Sequence, residues 1–146
     1  MRFLMWCAVN LVLWPVICPL IKRLRLFNFI FVVYPGTQAD ITSYIPLWLH
    51  WKIRKILPLS VLGLSTGGKR GLRGLTITLM YEPEELSKED LGLVLKKMEK
   101  LMSSVGANSI ALAGRLPGVI LAQGLPLDAP FLRGDRGGVF AITETM

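Results

Sequence analysis

The run Gly63-Leu-Ser-Thr-Gly-Gly68-Lys69-Arg70 fills the first seven positions of the phosphate-cradling pattern GxxxxGK, with Lys69 in the place that reaches a phosphate. The eighth position should supply a magnesium-binding hydroxyl, and here it is Arg70. The pattern should also open a helix whose first amides face the phosphates, yet Gly71-Leu-Arg-Gly74 leads into a strand-like run. A basic hairpin or loop is therefore expected, with Lys69, Arg70 and Arg73 available as a general anion site. A second glycine-punctuated segment, Gly134-Asp135-Arg136-Gly137-Gly138, stands before an apparent helix start at Val139. It could set backbone N–H groups and Arg136 beside a carboxylate or phosphate. Equally, its glycines serve positive φ, and Arg133, Asp135 and Arg136 form a solvated ion cluster.

His50, the only histidine, sits in Trp48-Leu-His-Trp-Lys52 with no acid or cysteine close in sequence, so it reads as a structural or surface residue. The chain contains no GxSxG, HExxH, CxxC or GxGxxG pattern. The commonest hydrolase, metalloprotease, thiol-redox and dinucleotide signatures are thereby missing. Cys7 and Cys18 both lie in the apolar N-terminal stretch and read as reduced, buried thiols; two cysteines build neither a disulfide framework nor a zinc site.

Charge and hydropathy divide the chain. Seventeen Lys and Arg against ten Asp and Glu leave +7, and the acids gather between Glu82 and Glu99. The basic part faces water or something anionic: lipid head groups, a phosphate-bearing ligand, or nucleic acid. Nucleic acid is not expected as a partner, because no helix-turn-helix, zinc-finger or aromatic RNA-binding pattern accompanies the charge. Hydrophobic residues make up 52% of the chain and concentrate in the first third, an excess that calls for a membrane or a partner surface.

Phe3 to Ile21 carries no charge and, as a helix, would approach the roughly 30 Å of a bilayer's hydrocarbon core. Trp6 and Trp14 suit an interface, and Lys22-Arg-Leu-Arg25 forms a basic flank that belongs on the cytoplasmic side. Pro15 and Pro19 would kink the helix, and the Asn10 amide needs a partner in lipid. Residues 1–25 are thus expected to span or lie on the cytoplasmic face of a membrane. A buried hydrophobic arm of a cytoplasmic protein, or an upstream sequence artefact, is the alternative; a cleaved signal peptide fits less well.

The elements that would position these residues follow from periodicity. Phe27 to Tyr34 reads as a buried strand stopped by Pro35-Gly36. Thr37 or Asp40 caps a helix bearing Ile41, Tyr44, Ile45, Leu49 and Ile53, with Pro46 tolerated early or delaying its start. Leu57 to Leu64 and Leu75 to Tyr81 read as strands, the second alternating so that one face is polar. Pro83 to about Ser104 is the clearest helix, acidic at its start, basic near its end and stopped by Gly106; Asn108 to Ala113 is a strand. The alternation predicts an α/β fold: a small, partly parallel sheet with flanking helices, in a domain of residues 26–146 behind a hydrophobic N-terminal helix.

The run Ser109-Ile-Ala-Leu-Ala-Gly114 after Gly106, followed by Gly134-Asp-Arg-Gly-Gly-Val-Phe-Ala141, carries a family resemblance. It resembles the substrate-side N-terminal domain of two-domain NAD(P)-dependent dehydrogenases of the shikimate dehydrogenase and long-chain acyl carrier protein reductase type. The resemblance spans the chain from Leu75 onward and implies a substrate-binding half, with Gly114, Arg115, Gly134, Asp135, Arg136 and Gly137 lining a cleft toward the cofactor domain. No residue matches that group's catalytic ones. The family's GxGxxG would follow Met146, so the chain is expected to be incomplete at its C-terminus. It then holds no cofactor itself, and NAD(P) would enter only with a downstream or partner Rossmann domain. A non-enzymatic membrane-associated adaptor or an anion-binding module is the alternative.

Overall fold

Phe29–Val33 is aromatic and β-branched throughout, suited to a strand buried on both sides, and it forms the central strand β1. The computed structural model describes residues 2–67 and 71–133. On one side β1 pairs in parallel with β3 (Leu72–Leu79), which is joined in an antiparallel hairpin to the edge strand β2 (Leu59–Gly67). On the other side it pairs in parallel with β4 (Ser109–Leu112), and β4 with β5 (Phe131–Arg133). The sheet order is β2-β3-β1-β4-β5. The α/β fold with a mixed, mostly parallel sheet, flanking helices and an apolar N-terminal helix is the one the alternation predicts.

That first helix, α1, runs over Arg2–Leu24. Its middle, Ala8–Leu13, is π-helical, and Pro15 falls in the first turn of the α-helical part that resumes at Trp14. The Asn10 amide finds its partners in protein: Nδ2 donates to the carbonyls of Trp6 (3.1 Å) and Val61 (3.2 Å), and Oδ1 accepts from Val61 N–H at 2.6 Å. Asn10 thus continues the ladder of the edge strand where β2 shifts register between Val61 and Gly63.

Two expected helices are each broken by a local competitor. The segment after Thr37 divides into α2 (Gln38–Thr42) and α3 (Leu47–Ile56), because Pro46 lacks the N–H to continue α2 and instead stands just ahead of α3. The segment from Pro83 divides into a 3-10 turn, Pro83–Glu85, and α4 (Lys88–Val105). Ser87 caps α4 by accepting from Asp90 N–H at 3.2 Å, and the helix ends at Gly106 with φ of 74°. Leu116–Ala122, to which the periodicity assigned no element, is a helix, α5, with Pro117 in its first turn.

The main core lies on one face of the sheet. Ile30, Val32, Leu75, Ile77, Leu79, Ile110 and Leu112 pack against Leu91, Val94, Leu95 and Met98 of α4 and Leu116 and Ile120 of α5, with Ile21 of α1 in the same cluster. A smaller cluster of Phe29, Leu72 and Ala111 occupies the other face, and Gly74 is required there because the Phe29 ring fills the place of a Cβ.

Candidate functional site: a cavity at the carboxyl edge of the sheet

Because β1, β3 and β4 run parallel, the loops that follow them leave the same edge of the sheet. The chain passes from β1 to β3 on one side and from β4 to β5 on the other, so the direction of winding reverses between β1 and β4. In open α/β sheets, ligands bind outside the carboxyl ends of the strands near such a reversal.

Tyr34 stands at this point. Its hydroxyl accepts the Arg115 N–H at 2.9 Å, and its ring lies 5.8 Å from the Arg115 guanidinium, which also pairs with Glu84 at 3.0 Å. Gly114 has φ of 56°, and a Cβ there would stand 2.5 Å from the Tyr34 hydroxyl, so only glycine permits the approach. Gly114 and Arg115, two of the sequence candidates, stand at the carboxyl edge of the sheet, joined to Tyr34 at the end of β1.

Beside Tyr34, toward β3, lies a cavity of about 240 Å³. The ends of β1 and β3, the start of β2, α2, α3 and Trp6 of α1 all contribute to it, and its walls are mainly apolar, with Ile41, Tyr44, Ile45 and Leu79 among them. Asp40 lines it, but its carboxylate accepts from the N–H of Gly36 (3.2 Å) and Thr37 (2.9 Å) and so holds the loop after β1 in place. Ser60 is occupied as well, accepting from the Trp6 indole at 3.3 Å and donating to Met80 sulfur at 3.4 Å.

His50 is the exception. It is only 2% exposed and lines the cavity; its Nε2–H donates to the Met80 carbonyl at 2.9 Å, which leaves Nδ1 as a buried acceptor with no partner. Burial pushes the imidazole pKa down and outweighs the opposing hydrogen bond to the Met80 carbonyl; the Arg54 guanidinium lowers it further and Glu85 raises it, each less strongly. Arg54, one helical turn on, donates to Glu85 at 3.2 Å with its guanidinium 3.9 Å from the Trp51 ring centre and 4.4 Å from that of Tyr81. That clamp ties α3 to the segment carrying Met80 and so fixes the histidine.

The remaining sequence candidates lie elsewhere. Arg73 starts β3, at the opposite edge from Gly114 and Arg115, with its N–H bonded to the Asn28 side chain at 3.1 Å. The register sets Arg73 level with Asn28 and Gly114 level with Tyr34, about six residues apart along β1, roughly 20 Å. Lys69, Arg70, Gly134, Asp135, Arg136 and Gly137 lie outside the described residues. The described part of the P-loop-like run, Gly63 to Gly67, is strand β2, and the chain returns as strand β3 rather than helix, as a hairpin requires.

Sequence reasoning missed Tyr34, Asp40 and Ser60 as site residues and gave His50 no place in a site. One signal was present: Tyr34-Pro-Gly36 ends the first strand of an α/β alternation, where the ligand edge is expected. Among the described residues no group of three or more His, Cys, Asp or Glu is placed to hold a metal ion. The arrangement defines an α/β protein with a mainly apolar cavity at its carboxyl edge, walled in part by one buried histidine. Comparison of the chain with protein-family models, curated proteins and solved structures finds no match.

Proposed function

We propose that this chain is the substrate-binding half of a dehydrogenase-like protein, associated with the cytoplasmic face of a membrane, and that it seats an uncharged substrate in the cavity beside Tyr34. The cavity's position at the carboxyl edge, next to the winding reversal, carries the reading: it is where an α/β sheet presents a ligand to a second domain. Mainly apolar walls favour the carbon skeleton of a carbonyl or alcohol compound. The nicotinamide and the hydride belong to the Rossmann domain that the sequence resemblance implies. Membrane association is supported by α1, whose length and composition suffice to cross a bilayer.

Titration of the full chain with a series of alcohols and their aldehydes, followed by thermal shift and tryptophan fluorescence, tests the proposal. Saturable binding that weakens about tenfold in Tyr44→Ala, a variant at an exposed wall of the cavity, is the expected result. Binding unchanged by Tyr44→Ala and by His50→Gln would remove the cavity from the account. Absence of a strand followed by GxGxxG in the reading frame after Met146, or in a protein that copurifies, would remove the dehydrogenase assignment.

A further inference from the structure

We propose that α1 lies flat on an anionic bilayer, its outward apolar face in the lipid and a headgroup phosphate held by Lys22, Arg23 and Arg25. The inference rests on the membrane-associated reading above and is independent of what fills the cavity.

The helix has two faces. Trp6, Asn10 and Ile21 are buried against the domain, with Trp14 and Cys18 half-buried beside them, while Leu4, Leu11, Val12, Val16, Leu20 and Leu24 point away, Val16 being 75% exposed. The inward residues Trp6, Asn10, Trp14 and Cys18 are spaced by four, and in an unbroken α-helix each such step drifts by about 40°. The π-helical run Ala8–Leu13 winds more slowly and takes back roughly 100° over its six residues, so both faces stay aligned along the helix. The apolar face is one continuous stripe for this reason, and Ile56 of α3, 82% exposed, lies with Asn10 and Trp14 around a neighbouring hollow.

A spanning orientation would undo this arrangement. Asn10 and the Trp6 indole would leave Val61 and Ser60 and enter hydrocarbon without those partners, and the edge of β2 would lose its cover. Lying flat keeps every one of those bonds and immerses only the stripe, as interfacial helices do.

Charge selects the lipid. No Asp or Glu precedes Asp40. Lys22, Arg23 and Arg25 line a single hollow at the end of α1 together with Asn28 and Asn108; no carboxylate lines it, and none of the three cations is paired with one among the described residues. Cations at the end of an apolar helix face complement an anionic headgroup layer.

Sedimentation of the full chain with vesicles of phosphatidylcholine, alone or with one-third phosphatidylserine, reads the charge. Binding to both, tighter on the anionic vesicles, is expected. The Lys22→Gln, Arg23→Gln, Arg25→Gln variant should lose on the order of a hundredfold in affinity for the anionic vesicles only, with its thermal midpoint unchanged. Spin labels at Leu4, Val12 and Leu20, in a Cys7→Ser, Cys18→Ser background checked for fold by circular dichroism, read the geometry. Equal depths support the flat helix, whereas a Val12 label deeper than both others shows a span and overturns it. Tryptophan quenching of the unaltered chain by lipids brominated at different depths gives a second reading; maximal quenching at the bilayer centre overturns the flat helix. Two more results would overturn the proposal: inorganic phosphate binding without vesicle binding, and a lipid-free dimer that buries the Val12 label and ignores vesicles. The alcohol and aldehyde titrations, run without vesicles, read the cavity separately from all of these outcomes.

Discussion

His50 gains its distinction from a carbonyl thirty residues away, for Met80 occupies one ring nitrogen and leaves the other bare inside the protein. Its lowered pKa has a thermodynamic consequence. The unfolded chain takes up the proton near pH 6.5, the folded chain only at lower pH, so stability is constant above that value and declines as pH falls between the two. Urea midpoints measured from pH 7.5 to 5 should show this decline, and His50→Gln, which keeps a donor for Met80 and cannot titrate, should flatten it. Gly114 is constrained more simply. Gly114→Ala should cost about 1–3 kcal/mol from its positive φ and its collision with the Tyr34 hydroxyl. Part of the loss should return in the Gly114→Ala, Tyr34→Phe double variant, since only the collision is relieved; additive unfolding free energies would contradict it. Sequence named Gly114 and Arg115 as candidates but could not show that Tyr34 is what they meet, because an eighty-one-residue separation leaves no local pattern.

At the level of elements, strands and the long helix followed from side-chain periodicity, and errors arose where a polar side chain decided a boundary. Ser87 starts α4 because its hydroxyl satisfies a first-turn amide, while Pro83 opens only a short turn of its own. Ser87→Ala should therefore cost about 1 kcal/mol by chemical denaturation, whereas Glu84→Ala in the turn before it should leave α4 intact. Asn10 has the corresponding role between α1 and β2. Asn10→Leu removes both partners of Val61, so a loss of about 1–3 kcal/mol and faster amide exchange at Val61 are expected. The short elements α5 and β5 escaped notice because seven and three residues give too little periodicity to register.

Across the whole molecule, residues 1–25 are not an appendage to the rest. Trp6 and Ile21 are buried, and α1 packs along α4 and against β2. Removing residues 1–25 should destabilise the remainder by about 3–6 kcal/mol, the cost of exposing those two side chains alone, and increase binding of a hydrophobic dye; an unchanged urea midpoint would show instead that residues 26–146 stand alone. Trp6 also lines the cavity, so the helix proposed to touch lipid is a wall of the site proposed to hold substrate. The apolar and polar alternation by itself determined the α/β class, the long apolar helix and the excess of cations beside it, since each is a property of neighbouring residues. Only the tertiary structure decided that β1 is central, that Arg73 and Arg115 stand at opposite edges, and that Tyr34 and His50 meet one cavity. Those relations depend on strand order and direction, which are set by which surfaces bury one another after the chain has turned back on itself.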